Sequence, residues 1–386
     1  MDFQLTPEQA DLKDTARKFA RAETRELARE LEERNRPVPL EMRRRYGEMG
    51  FLGVNLPTDY GGLGLGHLEA LLVLEEFAQV SVAVAFPIFE ALTGPVRTIQ
   101  HFASDELKAR IIPEVVKGET VVAVSMSEPE AGTALTDLTT TGKIEGDNMI
   151  LNGQKRWCSG AGHSDVYIVY CRMSDAPGAK GIGAVLVEKD RDGLSFGRPE
   201  DLMGFRGVPS ADIFLDDVRV PKGNMIVPAG GFAKLMSAFS LERCGNATMS
   251  LALAAAALEE ATEYAQERRQ FGKPIVDFQA VQMKLAEMAM KVEAARLLIH
   301  RAAVNASRDL PSIYESSIAK CFANEIVRDV TAHGMQIMGG YGYSKEYGME
   351  QRVRDGFAWG IAGGTTDVQK TNIAAALVGR RFNQRA

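Results

Sequence analysis

The sequence predicts an α+β protein in three successive parts. These are an N-terminal helical domain over 1–120, a central antiparallel β-sandwich or barrel over 121–228, and a C-terminal four-helix bundle over 229–386. Three observations carry this reading. A capped, helix-periodic stretch opens the chain, short β-rich runs with turn clusters between them fill the middle, and long helical periodicity returns after Gly230-Gly231.

Thr6-Pro7-Glu8-Gln9 reads as a helix start, with Thr as N-cap, Pro at the first helical position and Gln9 closing a capping box. Leu12, Ala16, Phe19 and Ala20 then recur at helical spacing, and Leu40 to Met49 and His67 to Ala78 predict two further helices. Gly61 to Gly66 is not a dinucleotide fingerprint, because position 67 is His and no strand pattern precedes it; it reads as a turn before a helix. Val121–Val124, Met149–Leu151, Val166–Tyr170, Ala184–Val187 and Ile213–Leu215 predict strands, with no helical period between them to build a doubly wound sheet. Ser240 to Glu267 is long and Ala-rich. Val281, Leu285, Met288, Val292, Ala295 and Leu298 share one helix face, with Met283, Met288 and Met290 expected as core filler. Pro311 to Val330 and Thr366 to Arg380 complete the expected bundle.

Composition narrows the function classes. Formal net charge is −6, which argues against nucleic acid as a partner, since phosphate binding calls for a basic surface. The start Met1-Asp2-Phe3-Gln4 lacks the basic and apolar regions of an export signal, and Leu251 to Leu258 is far shorter than a membrane span. Cys158, Cys171, Cys244 and Cys321 form no C-x-x-C pair, so neither a metal site nor a disulfide framework is expected, and a cytoplasmic location is. Glycine, 37 of 386 residues, exceeds the usual ~7% and calls for placement.

Six local motifs then occur in order: Ser127-Glu128-Pro129-Glu130-Ala131-Gly132, Asn152-Gly153-Gln154-Lys155-Arg156-Trp157, Met203-Gly204-Phe205-Arg206-Gly207, Phe214 to Pro221, Arg268 to Pro274, and Gln336 to Gly342. Together they resemble the acyl-CoA dehydrogenase family over essentially the whole chain. The resemblance implies a flavoprotein with FAD at the junction of the three domains, homotetrameric or homodimeric. By motif, Met126 and Ser127 would donate to the isoalloxazine ring, Trp157 would lie against it and Ser159 near its N5. Donors aimed at the ring stabilise the negative charge it gains on reduction. Arg268, Phe271, Gln279, Gln336 and Gly340 match positions holding the pyrophosphate and adenine, partly from a neighbouring subunit. Thr365 and Asp367 match a further FAD contact, Asp367 standing where relatives more often have Gln or Glu.

The implied reaction is α,β-dehydrogenation of an acyl-CoA thioester, with an electron-transfer flavoprotein as acceptor. A carboxylate takes the α-proton while hydride leaves the β-carbon for flavin N5. Many relatives carry that Glu just before the Gly-Thr of the last helix, where this chain has Gly363. The isovaleryl and long-chain branches instead place it before an Arg on the first bundle helix, and Ser240-Leu241-Glu242-Arg243 fits that pattern. Glu242 is therefore the expected base, with the Gly363 N–H still available to polarise the thioester carbonyl. Thr133, Arg243 and Gly364 are the expected thioester contacts, Thr133 replacing the more usual Ser. Phe86, Phe89 and Leu92 fall where relatives close the acyl pocket. Two further readings stand beside this one: an enoyl-CoA reductase or other flavin oxidation on the same scaffold, and a non-catalytic flavin- or CoA-binding protein.

Overall fold

The computed structural model describes residues 3–306, 309–380 and 382. Met1 and Asp2, from the stretch read for an export signal, and 383–386, from the third expected domain, lie outside the described residues.

The capping box forms as expected. Thr6 Oγ1 accepts from the Gln9 N–H at 3.2 Å and Gln9 Oε1 accepts from the Thr6 N–H at 3.0 Å. It opens α1 (Pro7–Glu23), followed by α2 (Arg25–Arg34), α3 (Leu40–Glu48), α4 (His67–Val80), α5 (Val82–Leu92), α6 (Val96–Phe102) and α7 (Asp105–Val116). Phe19, Tyr46, Phe51 and Phe77 pack largely edge-to-face, with centroids 5.0–5.9 Å apart, and lock α1, α3 and α4 together. The glycine-rich segment is a turn: a Cβ at Gly62 would meet the Leu56 carbonyl oxygen at 2.2 Å, so the chain folds back only with glycine there. Residues Val82–Phe102 are long and apolar enough to cross a membrane, yet 89% of that window is buried within the protein.

The middle part holds β1 (Val122–Ser125), β2 (Thr141–Glu145), β3 (Asn148–Ser159), β4 (Val166–Arg172), β5 (Ile182–Glu188), β6 (Leu194–Phe196), β7 (Ser210–Pro221) and β8 (Met225–Val227). They form a sheet in the order β6-β7-β3-β2-β4-β5-β8, with β1 on β4. The expected all-antiparallel arrangement is corrected to a mixed one: β1 runs parallel to β4, and β2 meets β4 in parallel at Thr141–Arg172. The reason is topological. The β2–β3 hairpin serves as the crossover that returns the chain to the same end of the sheet, which a parallel pair requires.

The third part begins with the 36-residue α8 (Phe232–Glu267), longer than its expected Ala-rich core because Phe232 to Phe239 adds two turns. A small hairpin of β9 (Arg269–Gln270) and β10 (Lys273–Pro274) leads to α9 (Gln279–Ala306), α10 (Ile313–Met338), α11 (Gly340–Tyr343), α12 (Met349–Asp355) and α13 (Thr366–Val378). Helices α8, α9, α10 and α13 make the bundle, with α8 at its centre, packed on α10, α9 and α4. On α9, Met288, Val292 and Ala295 are buried as the periodicity predicts. Met283 and Met290 are not core filler: both point outward, since their positions fall off that apolar stripe.

Candidate active site

The site is built where α5 crosses α8. A Cβ at Gly245 would meet Thr93 Oγ1 at 2.2 Å, so glycine allows the close crossing that sets the Glu90 turn of α5 against the Glu242 turn of α8. Glu242 is only 7% exposed. Burial pushes its carboxyl up to about 8, with Arg243 and Lys320 pulling the other way. Glu90 is equally buried and its carboxyl is also driven well up, Arg43 opposing and Glu242 reinforcing the shift. Arg243 donates from Nη1 to Ser240 Oγ at 3.2 Å, and its Nε has no partner among the described residues.

Facing these groups is the loop from Trp359 to Thr365, held from behind by Lys320 of α10. Lys320 is fully buried and donates to the carbonyls of Trp359, Ala362 and Gly364 at 2.7, 3.0 and 3.0 Å. Burial brings its amine down to about 7, with Arg243 lowering it further and Glu242 raising it. Asn324 donates to the Trp359 carbonyl at 2.7 Å, and Gln369 to that of Gly364 at 2.9 Å. With those carbonyls turned inward, the N–H groups of Gly363 and Gly364 have no protein partner among the described residues. Gly363 sits at φ +63°, and a Cβ there would lie 2.8 Å from Asn246 Nδ2. The Phe89 ring lies tilted against Trp359 at 5.2 Å and against Phe86 at 5.5 Å, so one of the expected pocket residues meets the same loop and a second packs on it, and Leu92 is buried.

A second set of donors lies at the sheet edge. Glu128 is buried and takes Lys155 Nζ at 2.8 Å together with the Thr139 and Thr140 N–H groups. Burial alone would raise its pKa, but Lys155 and these donors hold the carboxyl down at about 2. The Met126 carbonyl accepts from Lys155 Nζ and the Ser127 carbonyl from the Arg156 N–H, so both point into the protein. The Met126 and Ser127 N–H groups carry no protein hydrogen bond among the described residues. A register shift in β3 between Lys155 and Cys158 throws Trp157 outward at φ +60°, with its side chain half exposed and the Arg156 guanidinium 4.2 Å from its ring. Ser159 follows at the end of β3, paired with Ser210. Free donors beside an accessible indole fit the edge and face of a planar heteroaromatic ring. Thr365 caps α13, accepting from the Val368 N–H at 3.2 Å, and Asp367 is exposed in its first turn.

The remaining expected residues form a separate, outward-facing set. Phe271 occupies the β9–β10 turn at 93% exposure, Arg268 lies 5.6 Å from the Tyr341 ring, and Gln279, Gln336 and Gly340 are all exposed. No hydrogen bond or ring contact joins them to Met126, Ser127 or Trp157 among the described residues. Thr133 lies on an exposed loop. A cleft of about 1100 Å³ opens elsewhere, between α2, α8 and α12, and is lined by Arg–Glu pairs rather than by these groups.

Three family models match: the N-terminal, middle and C-terminal domains of acyl-CoA dehydrogenase, over residues 6–119, 123–218 and 229–378. The chain therefore belongs to the acyl-CoA dehydrogenase family, whose members are oxidoreductases with FAD as cofactor. It is 35% identical to a 3-sulfinopropanoyl-CoA desulfinase of Variovorax paradoxus over 99% of this chain and 97% of that one. It is also 35% identical to a caffeyl-CoA reductase–Etf complex subunit of Acetobacterium woodii, over 95% and 97% of the two chains. Among solved structures, the glutaryl-coenzyme A dehydrogenase–glutaryl-CoA complex superimposes with a TM-score of 0.95 at 33% identity, covering 100% of this chain and 98% of that one.

Sequence reasoning missed Glu90, Asn246 and Lys320. Asn246 left a trace, as a carboxamide inside an otherwise small and apolar stretch of α8. Lys320 left none, since a lone lysine on a helix reads as a solvated charge.

Proposed function

We propose that the protein dehydrogenates an acyl-CoA at its α and β carbons, with Glu242 as the base that takes the α-proton. The observation that carries this reading is the buried Glu242 carboxyl, poised at about 8, beside a loop whose Gly363 and Gly364 N–H groups are unpaired among the described residues. A base tuned toward neutral pH is matched to the α-proton of a thioester, and fixed N–H donors stabilise the enolate-like charge that develops on its carbonyl oxygen. Arg243 and Thr133 fit the thioester and CoA side of the site. FAD supplies the hydride acceptor when bound. Met126, Ser127, Trp157, Ser159, Thr365 and Asp367 would hold its ring portion. Arg268, Phe271, Gln279, Gln336 and Gly340 face outward and suit the FAD of an adjacent subunit, which supports a homotetramer or homodimer. An electron-transfer flavoprotein is the proposed electron partner, in line with the Etf-complex relative. Four free, buried cysteines suit a reducing cytoplasm.

The test is anaerobic mixing of the purified flavoprotein with a panel of saturated acyl-CoA thioesters. Bleaching of the oxidised flavin band by at least one thioester is expected. Its absence with every thioester would leave the non-catalytic binding reading in its place. The caffeyl-CoA reductase relative favours a second reading, enoyl-CoA reduction by the same groups with Glu242 returning the proton. Reoxidation of the photoreduced protein by enoyl-CoA, faster than bleaching by the saturated partner, is its signature.

A further inference from the structure

Asn246 lies one helical turn beyond Glu242 on α8, fully buried, and neither its Nδ2 nor its Oδ1 has a hydrogen-bond partner among the described residues. A carboxamide sealed in a core without partners is strongly disfavoured, since both a donor and an acceptor lose water with no replacement. Its direction is fixed by Gly363: the space that any side chain there would enter lies 2.8 Å from Asn246 Nδ2. The amide therefore borders Gly363, whose N–H is unpaired among the described residues, one turn along α8 from Glu242. Two more unpartnered or neutralised polar groups lie near Glu242. The Tyr170 hydroxyl of β4 is buried with no partner among the described residues, and burial first, then the nearby Glu242, disfavour its ionisation. Glu90 of α5 is buried without an ion pair among the described residues and is held towards its neutral form.

We propose that Asn246 is a specificity-determining residue that hydrogen-bonds a polar group on the acyl chain close to the reacting carbons. The substrate class is an acyl-CoA bearing a hydroxyl, carbonyl or similar donor–acceptor group there, in preference to a plain hydrocarbon chain. This rests on the placement of the thioester beside Gly363 in the proposed function. A plain chain leaves both amide atoms unpaired, whereas a hydroxyl can satisfy one as donor and the other as acceptor. Sites built around such buried polar groups reject the analogue that lacks the matching group more strongly than apolar pockets reject an added one.

The test uses oxidised holoprotein and two enoyl thioesters that cannot reduce the flavin, crotonyl-CoA and 4-hydroxycrotonyl-CoA. Binding is read by calorimetry and by perturbation of the flavin spectrum, for the wild type and for Asn246→Val and Asn246→Ala, with FAD content checked first. The wild type is expected to bind the hydroxylated ligand at least tenfold more tightly. Asn246→Val is expected to abolish that preference while binding crotonyl-CoA as well as before or better. Equal weakening of both ligands would put the amide on the thioester carbonyl and overturn the proposal, as would an unchanged preference in both variants. Because no proton transfer is needed, the result is independent of whether Glu242 is the base. Failure of both ligands to perturb the flavin or release heat would instead overturn the thioester placement itself.

Discussion

Replacing Glu242 by Gln separates the chemistry of the site from its stability, and each has a predicted size. The carboxyl stands at about 8 in the fold against an ordinary value of 4.5, because burial outweighs Arg243 and Lys320. A folded-state pKa that is raised stabilises the fold below pH 4.5, and this contribution is lost as pH rises through 8. At pH 8 the wild type therefore carries a cost of roughly 3–5 kcal/mol that glutamine, with no charge to desolvate, avoids. For a chain of this length that converts to a melting temperature higher by about 4–6 °C in Glu242→Gln at pH 8, with the gap closing toward pH 5. Lys320 has the opposite pH dependence, but it is present in both proteins. Flavin bleaching by a good acyl-CoA should meanwhile fall by about 10²–10⁴. In the wild type the bleaching rate should drop about tenfold for each pH unit below about 8, as the proposed base fills with protons. The assays are stopped-flow absorbance and scanning calorimetry across pH 5–9. A variant that bleaches at the wild-type rate, or melts no higher at pH 8, would refute the reasoning.

Lys155→Met leaves Glu128 buried and unpaired, and should cost about 3–5 kcal/mol in urea unfolding; adding Glu128→Gln should recover part of it. Gly363→Ala places a Cβ 2.8 Å from Asn246 Nδ2 at φ +63°, and should cost roughly 1–3 kcal/mol and slow bleaching with FAD retained; Asn246→Ala in the same chain should relieve the clash. Phe271→Ala, at a side chain 93% exposed, should change unfolding free energy by less than about 0.5 kcal/mol. It should nonetheless lower the flavin-to-protein absorbance ratio and shift sedimentation toward a smaller assembly.

What the sequence makes legible here follows range of interaction. The first helix begins at Thr6 because its signals, Thr6, Pro7 and Gln9, act within one turn. The Met149–Leu151 run marks only the start of β3, since the polar half of that strand is set by pairing with β7 rather than by its own alternation. The parallel β1–β4 pair was unreadable for the same reason: register between strands more than forty residues apart leaves no local mark. Glu242 and Gly363 were singled out through motifs, while the burial of Glu242 and the closeness of Gly363 to Asn246 came only with the fold. Phe271 and Trp157 show the converse. Both were singled out by motif, and the structure adds why they stand exposed: a tight hairpin for one and a β-bulge for the other.

Lys320 explains why the polar cluster around Glu242 is concentrated on one loop. Glycine at both 363 and 364 gives that loop positive φ and little stiffness of its own, so its N–H groups would not hold a direction unaided. Three carbonyls fixed by one buried ammonium supply the missing rigidity from behind, where no ligand has to pass. A surface lysine could not do this, because water would compete for each carbonyl. Burial makes the three bonds strong and at the same time brings the amine down to about 7, within reach of neutral pH. The loop is thus held by a group whose charge is nearly as labile as that of the Glu242 carboxyl. Preorganised donors and a poised carboxyl are obtained through the same desolvation, and the instability toward pH is concentrated in one buried cluster.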